Sequence, residues 1–185
     1  MIELYVGVHH VPDGLSGISI TLGTQAALPG GWVLGPSRPA THAFVVIREK
    51  DGFAWRLDGK PSRAEWSPFY NTPILPPTKL WKIVAAEDAV FRGATRARAI
   101  THVKYDWAEI ASCTAVAFSF LPLAHKLKAF GRTDIFSGAM ICTQVCRNVL
   151  MAIDSFGAID RMPDLFPERL AQVLRGAEGT WTEVG

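Results

Sequence analysis

Three residues far apart in the chain have the types from which covalent acyl chemistry is built: Cys142, His42 and Asp58. Cys142 stands just ahead of a run in which Val145, Val149, Ala152 and Phe156 recur at helical spacing until Gly157. Ser137 and Gly138 are suited to cap this helix, which places Cys142 in its first turn. There the unbonded backbone N–H groups and the positive end of the helix dipole favour an anion, so the thiol is expected to ionise more readily than an ordinary one. Such a nucleophile needs a base, and His42 is the candidate, with Asp58 as the group that holds its imidazole. The expected chemistry is acyl transfer. Thiolate Cys142 attacks an amide or ester carbonyl, His42 moves the proton to the leaving group, and Asp58 fixes the tautomer.

The elements that must position these groups are short strands and one helix. Thr41-His42-Ala43-Phe44-Val45-Val46-Ile47 is apolar and β-branched and reads as a buried strand, with a turn at Glu49-Lys50-Asp51-Gly52. Phe53 to Gly59 completes a hairpin whose period-2 alternation sets Ala54, Arg56 and Asp58 on one face. Lys60 to Thr78 contains five prolines and reads as a long irregular segment rimming the substrate site. Within it Trp66 and Tyr70 are the substrate-binding candidates, joined by Thr143 beside the nucleophile, and Glu65 is the alternative to Asp58 as the orienting acid.

A histidine on a strand, an acid on the next strand and a later Cys142-Thr143-Gln144 at a helix start resemble the circularly permuted NlpC-type papain-like amidohydrolases. That family includes the YiiX-like group and the relatives of lecithin retinol acyltransferase. Tyr105-Asp106 ahead of the cysteine helix and Met162-Pro163-Asp164-Leu165 after it fit the same pattern, over roughly residues 40 to 175. The resemblance implies an α+β fold, an antiparallel sheet or partial barrel packed against helices. It also implies a cysteine peptidase or amidase working through Cys142, His42 and Asp58 on a peptide, amide or lipid-ester substrate. A cell-wall peptide is one such target. The alternatives are an acyltransferase using the same pair, and a virion or structural binding protein that keeps the fold without turnover.

Composition bounds the rest. At 185 residues one domain, 1–185, is expected. The chain is 49% hydrophobic and 19% charged, and its net charge of +2 gives no field that would draw nucleic acid. Cys142 and Cys146 share a helix face, but a metal there would need His42 and Asp58 as well, so no metal and no cofactor is expected. Cys113 belongs to a very apolar helix over Ala108 to Leu127 and reads as core. The apolar stretch Ile110 to Ala124 is shorter than the roughly 18 to 20 residues that span a bilayer, so no stable membrane span is expected. Met1-Ile2-Glu3-Leu4-Tyr5 lacks the basic start of a secretory signal, which points to a cytoplasmic protein, with virion association as the alternative. The oligomeric state is left open.

Ile2, Leu4, Val6 and Val8 alternate with polar or small residues as in a half-buried strand, and Ile18, Ile20 and Leu22 repeat the pattern. His9 and His10, being adjacent, point to opposite faces and are expected to be solvated. Lys79 to Val84 reads as a strand. A helix then opens at Glu87-Asp88 with Arg92, Arg96 and Arg98 on a solvated face, a charge order that suits the dipole. An amphipathic helix over Glu168 to Arg175 and a frayed tail over about 177–185 close the chain.

Overall fold

The structure is a computed structural model, and it describes residues 1–10, 40–59, 63–69, 78–100, 103–105, 139–140, 142–153, 167–176 and 181–184. Strands β1 (Glu3–His9), β2 (His42–Arg48), β3 (Ala54–Gly59), β4 (Ala64–Pro68), β5 (Thr78–Ile83) and β8 (Trp181–Glu183) form one antiparallel sheet in the order β4-β3-β2-β1-β5-β8. Helix α1 (Glu87–Ala99) packs on β1 and on α2 (Cys142–Met151), which lies over β2 and β3, while α3 (Pro167–Gly176) packs on α2. A short parallel pair, β6 (Lys104–Tyr105) and β7 (Ala139–Met140), leads into α2. The architecture is α+β.

The alternation read from the sequence fills the space between sheet and helices. Leu4, Val6, Val8, Val45, Ile47 and Leu57 meet Val90, Ala94, Val149, Leu150 and Leu170 in the main core. The other face of the sheet is not simply solvated. Tyr5, Phe44, Val46 and Leu80 are buried there as a second cluster, so β1 is buried on both faces.

The β2–β3 hairpin turns where expected. The amide N–H of Gly52 donates to the carbonyl of Glu49 (3.0 Å), and the positive φ of Gly52, 87°, is one that glycine adopts without strain. This turn sets the register in which Phe44 faces Asp58 and Val46 faces Arg56.

Four expectations are corrected. The segment after β3 is not wholly irregular, because residues 64–68 form β4. Proline is tolerated there because Pro68 falls in a pair that exchanges no ladder bonds, so its missing N–H costs the ladder nothing. The tail carries β8, which pairs with β5, and the Val184 N–H donates to the Leu80 carbonyl (2.8 Å). The cysteine helix begins at Cys142 itself, directly after β7, and closes at Met151 with tight bonds from Ala152 N–H to Val149 and Ile153 N–H to Leu150. His9 is half-buried rather than solvated. Ser137, Gly138, the expected strand at 18–22, the expected helix at 108–127, Tyr70, Cys113, Asp106 and residues 162–165 lie outside the described residues.

Candidate active site

β1, β2 and β3 end together at the start of α2, and this brings the three predicted residues into one place. His9 and His42 are directly opposed across β1 and β2, and Asp58 is opposed to Phe44 across β2 and β3. The next residue, Gly59, lies against the first turn of α2. A Cβ added at Gly59 would come 3.0 Å from Cys142 Cα and 3.1 Å from its N, so only glycine lets the helix start approach the strand this closely.

The Nε2 of His42 lies 2.9 Å from Asp58 Oδ1. This contact leaves Nδ1 as the ring nitrogen that the carboxylate does not engage, and the Cys142 side chain is near enough to bear on the imidazole. Cys142, His42 and Asp58 thus lie in one cluster, with His42 bonded to Asp58. Asp58 is buried, with its side chain 8% exposed, whereas the His42 side chain is 22% exposed and Cys142 is fully buried. The imidazole is therefore the solvent-facing edge of the pair.

The electrostatics follow from this packing. Burial pulls the His42 imidazole down, but attraction to Cys142 and the hydrogen bond with Asp58 outweigh it. The imidazole is raised from 6.5 to about 9. Burial pushes the Asp58 carboxyl up, yet the hydrogen bond and charge of His42, followed by those of Arg56, hold it below its ordinary 3.8. For Cys146, burial comes first and the charges of Cys142 and Asp58 add to it, so its thiol is pushed well above 9.0. Of these two thiols, Cys142 is the one that faces an imidazole.

Arg56 is a residue whose role the sequence reading missed. Its Nε and Nη2 each lie 2.8 Å from Asp58 Oδ1, and its guanidinium sits 3.9 Å above the Phe44 ring. The signal was present, since Arg56 and Asp58 are two apart on one strand and so share a face. Sequence alone gave no cause to pair them. His9 was also missed. Its ring stacks on His42 at 6.1 Å with planes 9° apart, and it lies 4.9 Å from the Phe44 ring. The Thr41 N–H donates to the His9 carbonyl (2.7 Å), and the Ala40 N–H donates to the buried Glu168 on α3 (2.8 Å), which also pairs with Arg175 at 2.5 Å. These bonds fix the chain immediately before His42.

The remaining candidates fall elsewhere. Glu65 is opposed to Asp58 on β4, but its carboxylate pairs with Arg63 at 3.0 Å, so Asp58 is the acid at the imidazole. Thr143 is 3% exposed and follows the fully buried Cys142 in the first turn of α2. Trp66 is opposed to Leu57, on the face opposite to Asp58, and packs against the main core. Among the described residues no cluster of three or more His, Cys, Asp or Glu is set to hold a metal, and no helix is long and apolar enough to cross a membrane. Comparison with known proteins gives no match to a family model, a curated protein or a solved structure.

Proposed function

We propose that the protein is a cysteine hydrolase of amide or ester bonds that works through a thioester acyl-enzyme, on a papain-like, circularly permuted NlpC-type fold. The observation that carries this reading is His42, hydrogen-bonded to Asp58 and near enough to Cys142, at a helix start, for Cys142 to raise its imidazole.

In this mechanism Cys142 reacts as the thiolate of a thiolate–imidazolium pair. Sγ attacks the carbonyl carbon, and the oxyanion forms near the first turn of α2, where backbone N–H groups have no acceptor within the helix. The imidazolium gives its proton to the leaving amine or alcohol, which departs as the thioester forms. His42, now neutral, takes a proton from water as the water attacks the thioester, and acid release restores the pair. Asp58 holds the ring so that Nδ1 points at sulfur, and Arg56 keeps Asp58 ionised and oriented.

The test is direct. Purified protein is incubated with p-nitrophenyl esters and with peptidyl coumarin amides of varied side chain, and intact mass is read in the first turnovers. A mass increase equal to the acyl group, mapped to Cys142 and absent in Cys142→Ser, supports the reading. A product released with no acyl adduct, and equally fast from Cys142→Ser, contradicts it. Supplying amine or alcohol acceptors in the same assay distinguishes hydrolysis from acyl transfer to those acceptors.

A further inference from the structure

The His42 imidazole is tied to Asp58 at Nε2. One hydrogen bond lets a ring pivot about the line of that bond, and the outer torsion of a histidine side chain is broad, with little preference of its own. The plane of the ring is therefore set by what lies against it. Two rings do. His9, opposed to His42 across β1 and β2, lies 6.1 Å away with planes 9° apart, and Phe44 lies 6.4 Å away at 21°. His9 and Phe44 are themselves 4.9 Å apart, so the three rings form a triangle at separations typical of aromatic pairs.

Both flanking rings stand on fixed backbone. Thr41 donates twice to the His9 carbonyl, from its N–H at 2.7 Å and from its hydroxyl at 3.3 Å, and His9 is also opposed to Thr78 on β5. Phe44 is fully buried, and its ring reaches across β1 at Gly7, where an added Cβ would come 2.1 Å from Phe44 Cζ. The missing side chain at Gly7 is thus what admits Phe44 beside His9. The Arg56 guanidinium sits 3.9 Å above the same ring and also bonds Asp58. Contacts run in a closed circuit through His9, His42, Asp58, Arg56 and Phe44, all on one face of the sheet.

We infer that His9 is a positioning residue for the proposed acyl transfer, its ring setting the plane of the His42 imidazole. The inference rests on the hydrolase reading and assigns His9 no contact with substrate. His9 acts through the flat face of its ring and not through either nitrogen, so a phenyl group serves in its place and an aliphatic group of similar bulk does not. Without that face His42 keeps Asp58 but swings relative to Cys142, and a misplacement of about 1 Å at a reacting group costs on the order of 10²-fold. The loss falls on kcat and leaves KM, because no contact with the bound substrate is removed.

The experiment compares the parent, His9→Phe and His9→Leu by the thiolate absorbance of Cys142 at 240 nm between pH 4 and 8, taken as the difference from the same protein carrying Cys142→Ser. Kinetics on a p-nitrophenyl ester are read on the same preparations, and denaturant melts verify the fold. His9→Met, flexible and likewise without a flat face, takes the same readouts if His9→Leu does not fold. The midpoint of the thiolate step should rise by about one pH unit or more in the aliphatic variant, a tenfold loss of the ionised pair, and should stay within about 0.3 unit of the parent in His9→Phe. The aliphatic variant should lose at least about tenfold in kcat with KM within about twofold, while His9→Phe keeps at least about a third of the parent rate. An aliphatic variant with the parent's midpoint and kcat overturns the inference. So does a His9→Phe protein as impaired as the aliphatic one, which would assign the role to the His9 nitrogens. A parent with no Cys142 thiolate step in this range has a different signature: it contradicts the hydrolase reading itself, and the inference falls with it.

Discussion

His42 Nε2 and Asp58 Oδ1 stand 2.9 Å apart on neighbouring strands, and this contact leaves Nδ1 as the ring nitrogen that the carboxylate does not engage. Replacing the carboxylate by an amide preserves the shape of the site and removes the charge that favours the imidazolium. Asp58→Asn should therefore keep its melting cooperativity and lower turnover by about 10²-fold or more. Glu65→Gln should stay within about twofold of the parent, because Glu65 pairs with Arg63 and not with the imidazole. Steady-state kinetics on the pair of variants checks both.

The pH dependence has a definite sign at each end. His42 binds its proton more tightly in the folded protein than in the unfolded chain, where its value is 6.5. The stabilisation this brings is complete below 6.5 and is lost as pH rises through about 9. Asp58 is held below 3.8, so its contribution is present above that value and disappears as pH falls beneath it. Turnover should decline on an alkaline limb near pH 9 as the imidazolium that protonates the leaving group is lost. Asp58→Asn should move that limb to lower pH, which a kcat/KM profile will register.

Gly59 is the point where the sheet touches the helix start. Gly59→Ala places a methyl 3.0 Å from Cys142 Cα, and a backbone atom cannot swing aside as a flexible side chain can. The expected cost is about 1–3 kcal/mol of stability, and a displaced nucleophile should cost on the order of 10²-fold in turnover. Denaturant melts and kinetics measured on the same preparation test this.

Glu168 ties α3 to the residue that precedes the His42 strand. Glu168→Ala leaves the Ala40 N–H buried without this acceptor and should destabilise the protein by about 1–3 kcal/mol. Arg175→Ala leaves the buried Glu168 carboxylate without its cation and should also destabilise the protein, by about 3 kcal/mol or more. Urea titration orders the two.

Much of the site was legible because it is local. The β-branched run after His42, the turn at Glu49 to Gly52 and the period-2 face shared by Arg56 and Asp58 are all properties of adjacent residues, and the hairpin appears as read. The helix character after Cys142 was equally local. What escaped depends on partners distant in sequence. β4 was hidden because the prolines around it argued for a loop, and only the register with β3 reveals that Pro68 needs no donor. β8 was hidden because three residues acquire strand character from β5 and not from their own propensity. The stacking of His9 on His42 and the burial of the second sheet face likewise follow from sheet order, which no local pattern encodes.

The central claim is that Cys142 works as the thiolate of a pair with His42. The measurement that bears on it most directly is limited iodoacetamide labelling at pH 6 to 7, followed by peptide mass mapping, on the parent protein and on His42→Ala. Cys142 should be the first thiol modified, Cys146 should stay unmodified because burial holds its proton, and His42→Ala should slow labelling of Cys142 at least tenfold. Preferential labelling of Cys146, or a Cys142 that labels equally fast without His42, would contradict the account.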